Sequence, residues 1–311
     1  MISSLAREPY PSRHLNEALL LRRHDPVCRG QDPGPEWLPP GALASYAEDG
    51  FLVLPDLLDA ADVEALQAEM ATVLARSAAC RDATVVREPG SDAVRSVFAL
   101  PRVSEVFARL ARHPKLLGFA MHALGSPVYL HQSRLNCKPG LEGKEFWWHS
   151  DFETWHVEDG MPAMRALSCS VLLTENTEFN GPLFVIPGSH RTWVGCIGET
   201  PLENYRSSLR RQTVGTPPPE ALALLTEQAG GLAAVKGAPG TVVFFDCNLL
   251  HGSAGNISPF PRANVFLVYN SVENRLGAPA AGLAPRPEHI AHREHTPVLT
   301  PVTGLDAAGR Q

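Results

Sequence analysis

The chain has 311 residues, 44% of them hydrophobic, so it is long enough to bury a large core within one domain. Its net charge of −6 and its scattered Lys and Arg exclude a basic surface for nucleic acid. No apolar run approaches the roughly 18 residues of a membrane span, and no signal-peptide core is visible. We therefore expect a cytoplasmic protein without a membrane or nucleic-acid partner. The six cysteines lack CxxC spacing, which favours free thiols over a zinc ribbon or a disulfide framework.

The first part of the chain predicts an arm followed by helices. Residues 1–40 are rich in Pro, Gly and charge, and they predict an irregular arm with at most a short helix near 15–23. Helical patterns follow at 41–49, at 59–78 after the capping residue Asp59, and at 103–124 with a break at Pro114, and one strand is predicted at 50–55. We interpret residues 41–126 as a mainly helical flank.

From residue 127 onward, short apolar runs alternate with Gly and Pro turns. Candidate strands lie at 128–136, 145–151, 165–174, 183–186, 241–245 and 264–270, and an insertion at about 192–235 contains a predicted helix at 219–228. This pattern favours a sandwich or jelly roll over a doubly wound sheet. We predict a single domain, 1–311, with its β core at 127–276 and an extended, proline-rich tail at 277–311.

A candidate metal site begins with His149 and Asp151. Two residues apart on an extended segment, they point to the same face, although a simple buried His–Asp pair is the alternative. His251 follows an apolar run and would supply the third ligand. Two histidines and one carboxylate leave coordination positions open, as in non-haem Fe(II) oxygenases. His190 and His156 compete for the same role.

Two further alternations indicate binding surfaces. Arg262, Asn264 and Phe266 share one face of a predicted strand, and Arg134 lies between two amides, Gln132 and Asn136, on one face of another. A buried arginine is costly unless it meets an anion, and a dicarboxylate cosubstrate would supply one to Arg262. The alternative is an ordinary arginine at a loop–strand junction.

These residues carry a resemblance to a known family. His149-x-Asp151, Pro187-Gly188-Ser189-His190, His251 and Arg262, in this order, resemble the phytanoyl-CoA dioxygenase family of Fe(II)/2-oxoglutarate oxygenases. The run FWWHSDFETWHVEDG at 146–160 is similar to the signature of the branch of that family that hydroxylates ectoine. The likeness extends over nearly the whole chain.

The resemblance implies a mainly β fold, a double-stranded β-helix (a cupin-like jelly roll) with flanking helices. It also implies hydroxylation of ectoine to 5-hydroxyectoine, a step in making a compatible solute for the stress response, with 2-oxoglutarate and O2 consumed and succinate and CO2 released. Fe(II) would be held by His149, Asp151 and His251. The sequence is compatible with a homodimer but does not specify one.

The same resemblance implies the remaining site residues. For 2-oxoglutarate they are Arg262, Asn136, Ser168, Ser253 and Phe146. For ectoine they are Gln132, Trp155, Asn264, Phe245 and Phe266. Arg134 is added from the strand alternation alone, as a partner for the ectoine carboxylate. Phe146 has the wrong parity relative to His149 for a regular strand, so either a β-bulge is present or its assignment to 2-oxoglutarate is wrong.

Other functions remain open at this point. A halogenase of this fold would lack the carboxylate ligand, and Asp151 argues against it. A hydroxylase of another small zwitterion is the enzymatic alternative, while an acyl-CoA substrate is disfavoured only by the signature. A non-catalytic jelly-roll protein that binds a metal or ligand is the alternative of another class, and it leaves Arg262 unexplained.

Overall fold

The computed structural model describes residues 8–14, 16–31 and 33–305. The strands in these residues are β1 Leu19–Arg22, β2 Phe51–Leu54, β3 Val85–Arg87, β4 Val94–Phe98, β5 Val128–Lys138, β6 Phe146–His149, β7 Ala166–Leu172, β8 Leu183–Val185, β9 Thr192–Gly195, β10 Ala233–Val235, β11 Val242–Asp246, β12 His251–Ser253 and β13 Arg262–Ser271. The helices are α1 Ala42–Asp49, α2 Ala60–Ala78, α3 Leu100–Val103, α4 Glu105–Leu110, α5 Pro114–Leu124, α6 Asp151–Asp159, α7 Tyr205–Ser208 and α8 Pro219–Gln228.

Two antiparallel sheets form the core of the protein. The large sheet has the order β2-β11-β7-β13-β5-β4-β3, and the small sheet has the order β10-β8-β12-β6. One buried cluster joins Leu172, Phe245 and Phe266 of the large sheet to Val185 and Val235 of the small sheet. The two sheets therefore pack face to face, and the predicted mainly β jelly-roll fold is confirmed.

Helices cover the outer face of the large sheet. Phe119 of α5 stacks on Phe244 of β11 with ring centres 4.1 Å apart, within a cluster that also includes Leu66 of α2. Helix α2 begins where the sequence predicted it, because the Asp59 side chain accepts a hydrogen bond from the Asp62 backbone N–H at 2.8 Å. Because the helices cover the outer face of the large sheet, only its inner face, toward the small sheet, is left for a binding site.

In the first hundred residues one sequence prediction is wrong, and another is incomplete. Residues 19–22 form strand β1, antiparallel to β9, and not a helix; Leu15 lies outside the described residues. The alternating half-buried and exposed side chains of Leu19–Arg22 fit a strand of period two. Strands β3 and β4 lie inside the predicted helical flank, and they extend the large sheet beyond β5. Both are too short to give a clear periodic signal.

The strand predicted at 145–151 ends too late. Strand β6 ends at His149, and Asp151 is the first residue of helix α6. Ser150 caps that helix, since its Oγ accepts a hydrogen bond from the Glu153 N–H at 3.4 Å. The Ser-x-x-Glu spacing of a capping box was present in the sequence and explains the change of backbone direction.

The chain after Ser271 forms no helix or strand in its described residues, which end at 305. It runs beside β5, where the N–H of His292 donates to the carbonyl of His131 at 2.8 Å and that of Leu299 to Val128 at 2.9 Å. Within the described residues, no helix combines the length and apolarity needed to cross a membrane.

Candidate metal centre and cosubstrate pocket

Two strands and one helix of different parts of the chain bring the three predicted metal ligands together. His149 at the end of β6 pairs directly with His251 at the start of β12. Asp151 Oδ1 lies 3.6 Å from His149 Nε2 and 3.9 Å from His251 Nε2. In the described part of the chain, this is the one group of three His, Cys, Asp or Glu side chains spaced to hold a metal ion.

The hydrogen bonds of both histidines select the tautomer that a metal requires. His149 Nδ1 lies 2.8 Å from the carbonyl oxygen of Trp147, and His251 Nδ1 lies 2.9 Å from that of Leu249. Because a carbonyl only accepts, each Nδ1 carries the hydrogen and each Nε2 keeps its lone pair for a metal. Burial, reinforced by the neighbouring His149, lowers the pKa of His251 to about 4, so its ring is neutral near pH 7.

Asp151 is held as an oriented carboxylate. Burial opposes its ionisation, but His251 and His149 in their charged forms, together with the Arg134 guanidinium, keep the pKa of this carboxyl below its usual range. Ser168 Oγ donates to Asp151 Oδ2 at 3.0 Å, which leaves Oδ1 directed at the two histidines. Two imidazole nitrogens and one carboxylate oxygen within 4.8 Å of one another fit Fe(II).

Arg262 lies in the same cavity as the two histidines, and it has no carboxylate partner among the described residues. Its side chain is 2% exposed, and Nη2 donates to Asn136 Oδ1 at 2.5 Å while Nε has no partner. Burial lowers the pKa of Arg262 to about 10, so the group stays charged near pH 7. A buried, uncompensated guanidinium beside a metal site is suited to an anionic ligand.

A bulge between β6 and β12 allows Phe146 and His149 to line the same cavity. His251 pairs with His149, whereas Ser253 pairs with Phe146, so β6 has one extra residue in this stretch. The irregularity brings the Phe146 ring to 5.0 Å from the His149 ring, centre to centre. Phe146 and Ser253 both line the cavity that holds the metal ligands.

Arginine and aromatic side chains form another wall of the cavity. The guanidinium carbon of Arg134 lies 4.9 Å from the ring centre of Phe266, and both residues line the cavity. The Phe245 ring is 5.1 Å from the ring of His251. Two buried polar atoms on the neighbouring strands β5 and β13 have no partner, Arg134 Nε and Asn264 Oδ1. Such atoms are expected where a polar ligand binds.

Four predicted substrate residues, Phe245, Asn264, Gln132 and Trp155, lie outside the lining of this cavity, and the last two have partners elsewhere. Gln132 donates from Nε2 to the carbonyl oxygen of Ile290 in the C-terminal tail at 2.8 Å. Trp155 packs in a hydrophobic cluster with Phe152 and lies edge-on to His131, with ring centres 5.2 Å apart. The structure therefore brings Arg134 and Phe266 together with the metal ligands, but not Gln132 or Trp155.

The competing histidines have other partners. His190 is fully buried with Nε2 at 3.2 Å from the carbonyl oxygen of Ala47, and His156 Nδ1 lies 2.8 Å from that of Met161. Neither belongs to the three-ligand cluster.

The sequence interpretation missed three polar side chains that line the cavity. Lys138 continues the inward alternation of Gln132, Arg134 and Asn136, so a signal for it existed. Arg95 and Ser96 lie on β4, a strand that was not predicted.

A double-sheet core with two histidines and one aspartate converging beside a buried arginine defines a non-haem, metal-dependent oxygenase. The chain belongs to the phytanoyl-CoA dioxygenase family, because the family described as Phytanoyl-CoA dioxygenase (PhyH) matches residues 46–264. The family predicted from the sequence motifs is thereby confirmed.

Several proteins are similar to this chain over nearly its whole length. The chain is 52% identical over 307 residues to the ectoine dioxygenase of Bordetella bronchiseptica, covering 99% of both chains. It is 46% identical to that of Stutzerimonas stutzeri, covering 92% of this chain and 94% of the relative. The crystal structure of EctD from S. alaskensis with 2-oxoglutarate and 5-hydroxyectoine is 48% identical with a TM-score of 0.85, covering 95% and 98% of the chains.

Proposed function

We propose that the chain hydroxylates ectoine to 5-hydroxyectoine, consuming 2-oxoglutarate and O2 and releasing succinate and CO2, as a step in compatible-solute formation. The observation that carries this is a group of three side chains spaced to hold a metal, two of which line one cavity with a buried arginine that lacks a carboxylate partner in the described structure. Relatives named ectoine dioxygenase and the EctD structure with bound 5-hydroxyectoine support the choice of substrate.

The metal would be Fe(II), held through Nε2 of His149 and His251 and Oδ1 of Asp151. When bound, Fe(II) and 2-oxoglutarate supply the oxidising chemistry that replaces a C–H bond by C–OH. The protein contributes the positions of the ligands: two imidazoles whose Nδ1 atoms bond to backbone carbonyls, and a carboxylate whose second oxygen accepts from Ser168. No protein side chain is needed as a general acid or base.

The cosubstrate would extend from the metal ligands to Arg262. The guanidinium presents a fork to the distal carboxylate, and Asn136 fixes its orientation through the hydrogen bond to Nη2. Phe146 and Ser253 form the adjoining wall of the cavity. Ser168 stays in the proposed cosubstrate set, on the side of Asp151.

Ectoine would lie between Arg134 and the aromatic rings. It carries a carboxylate, which Arg134 would bind, and a delocalised cation, which the faces of Phe266 and Phe245 would attract by about 0.5 to 2 kcal/mol each. Asn264 Oδ1 is a buried acceptor without a partner, suited to an N–H of that cation. Gln132 and Trp155 remain in the proposed substrate set on the resemblance alone.

The test incubates Fe(II)-loaded protein with 2-oxoglutarate, O2 and ectoine and searches for a product heavier by one oxygen atom by mass spectrometry. We expect 5-hydroxyectoine and an equal amount of succinate. Turnover of 2-oxoglutarate without a change in ectoine would mean that the protein is an oxygenase whose substrate is another small zwitterion. Absence of both reactions would favour the non-catalytic binding protein.

We also propose a homodimer in the cytoplasm. Three neighbouring loops expose Leu141, Phe179, Ile257 and Phe260, between 58% and 75% of each side chain, and they are joined by backbone hydrogen bonds from Leu141 to Ser258 and from Ile257 to Phe179. Such a patch is typical of a surface that another protein covers. Light scattering would distinguish a dimer from the 33.6 kDa monomer, and cell fractionation would test the location.

A further inference from the structure

A buried ion pair lies against the cosubstrate end of the cavity. Arg95 of β4 is 2% exposed and Glu88, in the turn before β4, is 3% exposed. Arg95 Nη1 donates to Glu88 Oε2 at 2.7 Å. Arg95 lines the cavity, although the role of Arg262 as anion partner does not require a second arginine there.

The remaining donors of Arg95 hold the backbone that leads into Phe146. Nη2 donates to the carbonyl oxygen of Glu145 at 3.2 Å and Nη1 to that of Lys144 at 3.5 Å. Glu88 Oε2 also accepts from the Lys144 N–H at 3.4 Å. The guanidinium carbon lies 5.5 Å from the ring centre of Phe146. One arginine therefore fixes both the main chain and the ring of this cavity wall.

The main chain of β4 orients the amide on the opposite side. Asn136 Nδ2 lies 3.4 Å from the carbonyl oxygen of Arg95 and 3.2 Å from Ser96 Oγ. These bonds determine which end of the Asn136 amide faces Arg262, whose Nη2 donates to Asn136 Oδ1. Strand β4 thus contacts both residues that frame the anion site, Phe146 and Asn136.

We propose that Arg95, anchored by Glu88, is a positioning residue for 2-oxoglutarate, acting through Phe146 and Asn136 on the geometry of the Arg262 site. The inference rests on the proposed function, because it concerns the same pocket. An arginine is required since its planar fork donates to a carboxylate and to two carbonyls while lying over an aromatic ring, which a lysine cannot do. Supporting contacts of this kind commonly control ligand affinity without touching the ligand.

The experiment measures the dissociation constant of 2-oxoglutarate by calorimetry on Ni(II)-loaded protein, so that no turnover occurs. We expect Arg95→Met to raise this constant about 10-fold and Arg95→Lys to raise it by a smaller factor. The KM for ectoine and the metal content should stay at the wild-type values. If Arg95→Met does not fold, the Arg95→Lys variant alone decides the outcome.

Two controls separate positioning from general loss of stability. Arg23 and Asp246 form another buried pair, also with an N–O distance of 2.7 Å, and neither lines the cavity. Arg23→Lys should therefore lower the melting temperature without changing 2-oxoglutarate binding. Combining Arg95→Lys with Phe146→Leu should cost less than the sum of the two single changes, because both act on one wall.

Two results would overturn the inference: an unchanged 2-oxoglutarate constant in folded Arg95→Lys, or an equal rise in Arg23→Lys. Either result leaves the proposed function intact as long as wild-type protein binds 2-oxoglutarate. Failure of the wild-type protein to bind it would instead refute the proposed function.

Discussion

Buried charges are unpaired on the cavity side of the His149–Asp151 segment and paired on the side of helix α6. On the cavity side, Arg262 and Arg134 have no carboxylate within ion-pair distance among the described residues. On the other side, helix α6 buries three carboxylates, and each is paired with an arginine from a distant part of the chain. Paired charges hold the scaffold, whereas unpaired charges indicate where an ionic ligand binds.

Both chain ends contribute to the paired side. Arg13 of the N-terminal arm lies 2.6 Å from Glu153 and 2.5 Å from Glu158 in its closest N–O contacts. Arg286 of the tail donates from Nε to Asp159 Oδ1 at 2.8 Å. Glu153 is only two residues from Asp151, so the arm and the tail secure the helix that begins with a metal ligand.

The largest effect should follow removal of the metal ligand Asp151, which lies between the cavity and the paired carboxylates of helix α6. Asp151→Ala should abolish turnover together with Fe(II) binding, because two imidazoles alone hold this ion weakly. Metal analysis after desalting and product formation would both be measured. Ser168→Ala, which keeps the carboxylate but removes its hydrogen bond, should weaken metal affinity by about 10-fold. Retained turnover in Asp151→Ala would show that the ligand set is wrong.

The next effect concerns the paired side. Arg13→Met leaves Glu153 and Glu158 without their buried cation, and we expect the free energy of unfolding to fall by about 3 to 5 kcal/mol. Urea unfolding would measure this change. Arg210→Met is a suitable surface control, since Arg210 has no ion pair in the described structure. A loss as small as that of the control would mean that the buried pairs do not hold the helix.

A smaller and more selective effect is expected at Arg134. Arg134→Met keeps the packing on Phe266 but removes the cation, so the KM for ectoine should rise about 10-fold, as for loss of a hydrogen bond to a charged group. Steady-state kinetics at saturating 2-oxoglutarate would measure it. The KM for 2-oxoglutarate should stay the same. A rise in the KM for 2-oxoglutarate instead would mean that Arg134 binds the cosubstrate and not ectoine.

The smallest effect is expected for the histidines outside the cluster. His156→Gln and His190→Gln should retain the wild-type metal content, because their ring nitrogens bond to backbone carbonyls away from the site. Metal analysis of the folded variants would test this. Loss of iron from either variant at unchanged stability would add a ligand that the structure does not place there.

The structure brings the predicted metal ligands within reach of one another, because their chemistry is tied to residue type, although Asp151 lies in a helix and not on the strand whose alternation paired it with His149. The sequence left two alternatives for Phe146, a bulge or a wrong assignment, and the register of β6 and β12 contains the bulge. The start of α6 was missed although Ser150 and Glu153 have capping-box spacing, since the strand pattern before them continued smoothly.

Other features depend on tertiary packing, which local patterns do not encode. Strand β1 is a strand only because β9, more than 170 residues away, pairs with it. Strand β4 brings Arg95 to the cavity through pairing with β5, so no local signal connected that arginine to the site. The same holds for Trp155, whose polar sequence neighbours concealed a position in the hydrophobic cluster.

The most direct test of the unpaired Arg262 compares the binding of 2-oxoglutarate with that of 2-oxopentanoate, which has a methyl group in place of the distal carboxylate. Binding of both to Ni(II)-loaded wild-type protein and to Arg262→Ala forms a double-mutant cycle. We predict that wild-type protein prefers 2-oxoglutarate by about 100-fold, as expected for a buried charge pair worth a few kcal/mol, and that the variant binds both compounds with equal, weak affinity. A preference that survives in Arg262→Ala would show that another group binds the distal carboxylate and would contradict the account.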